Sequence, residues 1–306
     1  MKVFHTAKEV VAWRTKDIDR SKATLGFVAT MGCLHNGHKS LIEKSLIEND
    51  YTIVSIFVNP SQFGPTEDLD KYPRTLQEDL KILESLKVDA LFVPPVEEMY
   101  PQGIPLQVEK QRGAFVTVLG VSEMLEGASR PGFFRGVATV VTKLLNITMP
   151  DVAYFGQKDI QQFVVLSNMV RDLFVNTTLR LMPIVRNESG LALSSRNKYL
   201  CSESLQLAAN IYRGLKAASD LIESGTHETP TRQLILDRIY THWGPLIASN
   251  DFKVDYVSIA NLSDLREIDD QITCPTAGNT VISCAVFVTD RENPQTVVRL
   301  IDNVIV

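Results

Sequence analysis

A short strand running directly into a histidine-bearing helix constrains this chain more than any other stretch. Phe27 to Glu43 reads Phe-Val-Ala-Thr-Met-Gly-Cys-Leu-His-Asn-Gly-His-Lys-Ser-Leu-Ile-Glu. Leu25 to Ala29 is apolar and predicts a strand, a turn of small residues follows, and an amphipathic helix begins near His35 and His38. Gly32 allows a sharp turn, and Gly37 removes the side chain where a ligand would approach the first helical turn. Such a turn presents unpaired N–H groups and the positive end of a helix dipole, a setting suited to phosphate. Two imidazoles at its edge can hydrogen-bond phosphate oxygens and stabilise charge that develops when phosphorus is attacked. The same pair also fits a zinc pair, although neither Cys33 nor any acidic residue in the turn supplies a convincing further ligand. Ordinary surface or capping histidines are the third reading.

The rest of the chain supplies the setting. Its 306 residues can bury a sizeable core, with one large and one small domain the natural expectation. A hydrophobic content of 44% with 22% charged residues argues against disorder. The net charge of -5, without a Lys/Arg run, points away from nucleic acid and anionic membrane partners. No apolar stretch is long enough to span a bilayer, and Met1 to Arg20 lacks the pattern of a targeting segment. Cys33, Cys201, Cys274 and Cys284 are scattered without a C-x-x-C pair, so reduced thiols and a cytoplasmic location are expected, with no protein-held metal.

Periodicity sets out the elements in order. Val3 to Arg14 suggests an opening helix. Thr52 to Phe57 is β-branched and nearly all apolar, as a strand buried on both faces would be. Leu76, Leu80, Leu83 and Leu86 fall at helical spacing, and Ala90 to Val93 reads as a third strand. This βαβαβ order predicts an α/β fold with a Rossmann-like, doubly wound parallel sheet. Ala114 to Val118 suggests a short hairpin or arm, and Gly136 to Asn146 a further helix. Val152 to Phe155 and Thr178 to Met182 read as strands around a helix at Asp159 to Leu173. Pro183 marks the expected boundary between a domain over 1–183 and a smaller C-terminal α+β lid over 184–306. In the latter, helices are expected at Ser202 to Ser224 and Pro230 to Ile247, then strands near Val254 to Ala260, Val281 to Val288 and Val297 to Asp302.

Four other stretches lie at strand ends or on loops. Val54 to Phe63 places Asn59 and Gln62 just past a strand's carboxyl end, where open α/β sheets bind ligands. Gly156-Gln157-Lys158-Asp159 with Gln161 and Gln162 sits at another strand-to-helix junction, and Leu193-Ser194-Ser195-Arg196 lies on a hydroxyl-rich loop. Met124 to Val137 reads Met-Leu-Glu-Gly-Ala-Ser-Arg-Pro-Gly-Phe-Phe-Arg-Gly-Val. The strand-turn-helix with His-x-Gly-His resembles the first signature of the nucleotidylyltransferase and class I aminoacyl-tRNA synthetase superfamily. With the other stretches in order, the chain from about Gly26 to Leu200 closely resembles the pantothenate synthetase (pantoate–β-alanine ligase) family.

That resemblance implies pantoate attack on the α-phosphorus of ATP, giving pantoyl adenylate and pyrophosphate, then displacement of AMP by β-alanine. It implies a homodimer and ATP accompanied by Mg²⁺. It places ATP on Met31, Gly32, Cys33, Leu34, His35, Asn36, Gly37 and His38, with His35 and His38 on the phosphates and His38 the usual catalytic residue. Gly156, Gln157, Lys158 and Asp159 would also meet ATP, with Lys158 neutralising phosphate charge and catalytic. Leu193, Ser194, Ser195 and Arg196 resemble the second superfamily signature, a mobile loop for the triphosphate, and Val185 falls on the adenine side. Gln62 and Gln162, with Asn59 beside them, would bind pantoate and β-alanine. An amide offers donors and acceptors without a strong positive charge that would blunt the carboxylate nucleophile.

The chain departs from the family pattern in places. Ala29 stands for a usual proline, Gln157 for a common glutamate, and Phe133 for a usual histidine. Ile104 to Gly113 reads as an added surface loop, while Glu78 and Asp79 fit either Mg²⁺ ligands or a solvated first helical turn. A nucleotidylyltransferase acting on a phosphate ester shares the histidine loop, but would need a cationic acceptor pocket where this chain has glutamines. A non-catalytic binding module would be expected to have lost the histidines, the lysine or the Ser-Ser-Arg loop, and all are present.

Overall fold

The apolar segments pair into a six-stranded parallel sheet in a computed structural model that describes residues 1–65, 69–70, 72–224, 230–269 and 278–306. Its strands are β1 (Lys2–Phe4), β2 (Leu25–Thr30), β3 (Tyr51–Ile56), β4 (Ala90–Phe92), β5 (Val152–Gly156) and β6 (Thr178–Met182). They lie in the order β1-β4-β3-β2-β5-β6. β2 and β3 are buried almost throughout, which is why both read as continuous rather than alternating apolar runs. From β2 the chain builds outward through β3 and β4 in one direction, and from β5 to β6 in the other. The order therefore reverses between β2 and β5, and ligands of open α/β sheets bind beyond the carboxyl ends of strands at such a switch point.

Helices α1 (Ala7–Lys16), α2 (Asn36–Glu48), α3 (Leu76–Ser85), α4 (Val96–Met99), α5 (Glu126–Ser129), α6 (Phe133–Thr148) and α7 (Ile160–Asp172) accompany this sheet. Successive residues of a strand point to opposite faces, and the core divides accordingly. Phe27 and Ile53 join Val141, Leu145 and Leu166 in one cluster, while Val28 and Val54 join Ile42, Leu83 and Tyr154 in another. Gly26 brings α2 close to β2, because a Cβ there would overlap the Ser45 hydroxyl. That hydroxyl shares a buried 2.8 Å hydrogen bond with Thr52.

Two expectations for this part are corrected. The chain opens with β1 paired to β4, and the helix starts only at Ala7. Thr6 and Glu9 form a capping box that fixes this start, so residues before it are released to the sheet edge. Of the hairpin or arm expected outside the main sheet at 114–118, the hairpin does not form among the described residues, and the segment runs outside the sheet without strand structure: the Val116 N–H donates to Thr139 Oγ1 of α6 at 2.9 Å, and Phe115, Val116 and Val118 pack on the core.

The C-terminal elements are α8 (Ser202–Ala208), α9 (Asn210–Glu223), α10 (Arg232–Ala248), β7 (Phe252–Asn261), β8 (Thr280–Thr289) and β9 (Val297–Ile305). The three strands form an antiparallel sheet in chain order. The helix expected from Ser202 to Ser224 is interrupted at Ala209, whose N–H turns to the Leu205 and Leu207 carbonyls. Trp243, fully buried, joins Ile211, Leu215, Ile239 and Val286 in this core, and its indole N–H donates to the Asn210 carbonyl at 2.8 Å. By contacts the chain divides into Met1–Gly156 with Gln161–Met182, and Gln157–Ile160 with Pro183–Val306. No helix among the described residues is long and apolar enough to cross a membrane, and Cys274 lies outside them.

Candidate active site

Beyond β2 the backbone enters the left-handed region twice in succession, at Gly32 (φ 82°) and Cys33 (φ 53°). Thr30 Oγ1 accepts the Gly32 N–H at 3.2 Å and donates to the Ser55 carbonyl at 2.8 Å, tying the turn to β3. The buried Asp79 carboxylate holds the next two residues, accepting from Cys33 N at 3.0 Å and Leu34 N at 2.7 Å. A left-handed non-glycine residue costs of order 1–3 kcal/mol, so the turn persists because neighbours such as Asp79 determine it.

His35 is the N-cap of α2 and His38 its third residue, and the two cap each other's backbone. His35 Nδ1 accepts the Gly37 N–H at 3.1 Å, and His38 Nδ1 accepts the His35 N–H at a long 3.4 Å. Their ring centroids lie 4.1 Å apart. Since a backbone N–H can only donate, each neutral ring carries its proton on Nε2. The Gly37 N–H is therefore engaged by an imidazole rather than left unpaired, and the imidazole Nε2 protons become donors of this turn. Gly37 is required sterically, because a Cβ would stand 2.8 Å from His35 Cε1.

The turn after β3 carries Asn59 and Gln62. Asn59 is buried, and its Oδ1 accepts from Tyr100 OH at 2.8 Å and from Ser61 Oγ at 3.0 Å. Its Nδ2 donates to Gln62 Oε1 at 3.1 Å and to the Gly136 carbonyl at 3.2 Å. These bonds fix which way both amides point, and Gln62 Nε2 lies 3.1 Å from Met31 Sδ. Helix α6 reaches this turn because Gly136 has no Cβ; one would overlap the Ser61 carbonyl. Tyr100 was not singled out by the sequence. Burial pushes its hydroxyl up to about 12.

Gln161 and Gln162 separate in role. Gln161 is buried, donating to the Val121 and Met124 carbonyls and accepting the Glu126 N–H at 3.0 Å, so it braces the 121–126 arch. That arch contains Leu125 at φ 47°. Gln162, the expected substrate residue, is half-buried. Arg130 donates to the Gln62 carbonyl at 3.3 Å and lies 3.8 Å over the Phe133 ring, so phenylalanine here offers a π face to that guanidinium. The 104–113 loop, read as an added surface loop, is tied in: Gln111 is buried, donates to the Pro105 carbonyl and accepts from Arg135 at 2.6 Å.

In the C-terminal unit, Gln157–Asp159 form a single 3₁₀ turn after Gly156 ends β5. Lys158 Nζ lies 3.3 Å from both Asp159 carboxylate oxygens. Leu193 N–H donates to the Val185 carbonyl at 3.0 Å, and Ser194 Oγ caps the 3₁₀ turn Ser195–Tyr199 by accepting from Arg196 N.

The Mg²⁺ expectation at Glu78 and Asp79 does not fit. Both Asp79 oxygens are engaged by N–H groups, Thr75 also donates to it, and Glu78 is exposed. Among the described residues no group of three His, Cys, Asp or Glu side chains could hold a metal.

A doubly wound parallel sheet whose central strand runs into a self-capped histidine pair defines a Rossmann-like α/β protein. The model of the pantoate–β-alanine ligase family matches residues 2–305. The chain is 62% identical over 309 residues to a pantoate–β-alanine ligase of Saccharomyces cerevisiae, with 100% of each covered. A crystal structure of pantothenate synthetase from Thermus thermophilus matches with a TM-score of 0.83 at 39% identity, over 99% of each chain. A pantoate–β-alanine ligase from Francisella tularensis, complexed with beta-gamma ATP and beta-alanine, matches with a TM-score of 0.71 at 36% identity, over 100% of this chain and 97% of that one. The chain belongs to the pantoate–β-alanine ligase family.

Proposed function

We propose that this chain condenses pantoate with β-alanine through a pantoyl adenylate. A pantoate carboxylate oxygen attacks the α-phosphorus of ATP, and the bond to the departing pyrophosphate breaks. The β-alanine amine then attacks the acyl carbon, loses a proton to solvent, and AMP leaves with the bridging oxygen. The reciprocal capping of His35 and His38 supports this reading: it commits both Nδ1 atoms and holds both rings at the start of α2, where in this reading they serve the phosphates. Preorganised donors of this kind act mainly where charge develops. Similarity to the Francisella ligase, crystallised with an ATP species and β-alanine, supports the same substrates here.

Gln62 and Gln162 orient pantoate in this reading, and Asn59 acts through Gln62 because its own amide is engaged within the protein. Lys158 and Arg196 contribute positive charge to the triphosphate, with Ser194 and Ser195 as hydroxyl donors and Val185 beside the adenine. Mg²⁺ enters with ATP, bound through the phosphates rather than a protein cage, as this ion commonly is. A homodimer is part of the proposal. Leu173 and Phe174 at the end of α7 support it, Phe174 being 93% exposed close in sequence to the edge strand β6. A cytoplasmic setting goes with the reduced-thiol reading of the cysteines.

The test is exchange of labelled pyrophosphate into ATP. Pantoate alone should support exchange, β-alanine alone should not, and AMP should accumulate only with both. Exchange with β-alanine alone, or with a phosphorylated acceptor in place of pantoate, would refute the reading.

A further inference from the structure

Asn303 lies on β9, far along the chain from the Gln157–Asp159 turn, yet its side chain is bonded to that turn three times over. Its Nδ2 donates to the Gln157 carbonyl at 2.8 Å and to the Lys158 carbonyl at 3.1 Å. Its Oδ1 accepts from Gln157 Nε2 at 3.1 Å. Two carbonyls can be served only by the NH₂ end of an amide, so the orientation is unique, and both amide protons are in use. Asn303 is 1% exposed, so these groups have no solvent to fall back on. With both carbonyls drawn to Asn303, the trans peptide geometry directs the Lys158 and Asp159 N–H groups the opposite way.

The preceding residue fastens a second segment. Asp302, buried, receives Arg186 in a bidentate pair at 2.6 and 2.8 Å, and the Asn303 N–H donates to Asp302 Oδ1 at 2.8 Å. Arg186 stacks 3.6 Å over the Tyr212 ring and forms the strand-like bridge with Ala192 that leads into Leu193–Arg196. Neighbouring residues on β9 thus hold the backbone of the lysine turn and the root of the Ser-Ser-Arg loop.

We propose that Asn303, locked by Gln157, is a positioning residue that sets the backbone of Lys158 for ATP. This rests on the reading of Lys158 as a charge for the triphosphate. Gln157 is integral to the device, since a glutamate at this position would set an acceptor against Asn303 Oδ1.

A double-mutant cycle on the full chain tests it, reading single-turnover adenylation with ATP varied at saturating pantoate. Lys158→Ala should slow the reaction. Asn303→Ala should weaken ATP use, seen in KM for ATP or in the rate, on the order of 10- to 100-fold, with KM for pantoate unchanged. The double variant should be no worse than Lys158→Ala alone, because the two act as one unit. Gln157→Glu keeps Asn303 in place and should shift the same ATP parameter, which gives a readout if Asn303→Ala does not fold. A wild-type rate in Lys158→Ala would overturn the reading of the lysine, and the inference with it. A slow Lys158→Ala beside a normal Gln157→Glu and Asn303→Ala, or beside additive losses, would overturn the inference alone.

Discussion

The Asp79 carboxylate accepts the backbone N–H of Leu34 at 2.7 Å, and through its other oxygen that of Cys33 at 3.0 Å. One side chain from the first turn of α3 thereby sets the backbone that presents the histidine pair. Asp79→Ala should leave two part-buried N–H groups without their acceptor, at about 1–3 kcal/mol of stability. Urea denaturation should register that loss, and adenylation should fall with it. The Mg²⁺ dependence of the residual activity should stay unchanged, whereas a selective rise in the Mg²⁺ requirement would restore Asp79 as a metal ligand.

His38 should act on the transition state more than on bound ATP. His38→Ala should slow adenylate formation on the order of 10²–10³-fold, as loss of one oxyanion donor does. Titration calorimetry with a non-hydrolysable ATP analogue should show a much smaller change in affinity. A collapse in affinity with an unchanged single-turnover rate would make His38 a binding residue only.

Gly37→Ala probes the packing of the pair. The added Cβ would sit 2.8 Å from His35 Cε1 and 2.9 Å from its Nδ1, so the ring must move and its bond to residue 37 must weaken. A misplacement of this kind can lower the rate on the order of 10²-fold. Stability should change little, because Gly37 lies at a part-exposed helix start. A rate near wild type would mean the ring position is not critical.

Tyr100 should contribute a pH dependence at the alkaline end. Its folded pKa of about 12 lies above the unfolded value of 10, so the folded state holds the proton more tightly. The resulting stability, about 2–3 kcal/mol, is fully present below pH 10 and is lost as pH rises toward 12. Tyr154, raised likewise to about 12 by burial and the Glu48 carboxylate, adds a parallel slope. Tyr100→Phe should reduce the fall in denaturant midpoint between pH 10 and 12. It should also raise KM for pantoate by loosening Asn59, and an unchanged slope would contradict the assignment.

What the sequence disclosed was local. His-x-Gly-His places two rings three residues apart on one helix turn, and Gly-Gln-Lys-Asp follows an apolar strand, so both could be read from spacing. Thr52 to Ile56 announced the buried parallel sheet by its unbroken β-branched run. Asp79 could not be assigned, because its partners are backbone N–H groups 45 and 46 residues away that leave no mark in side-chain pattern. Asn303 was hidden for the same reason, as was Tyr100, whose partner Asn59 lies 41 residues upstream. Lys2–Phe4 is too short for periodicity to register, so its strand pairing with β4 became visible only in three dimensions.

The central claim is that pantoate oxygen becomes bonded to the α-phosphorus of ATP on the way to the amide. Pantoate labelled with ¹⁸O in both carboxylate oxygens tests this directly, with β-alanine and unlabelled ATP supplied and the products weighed by mass spectrometry. The account predicts one ¹⁸O in AMP, one retained in the new amide and none in pyrophosphate. Label appearing in inorganic phosphate beside ADP, or AMP carrying no label, would contradict it.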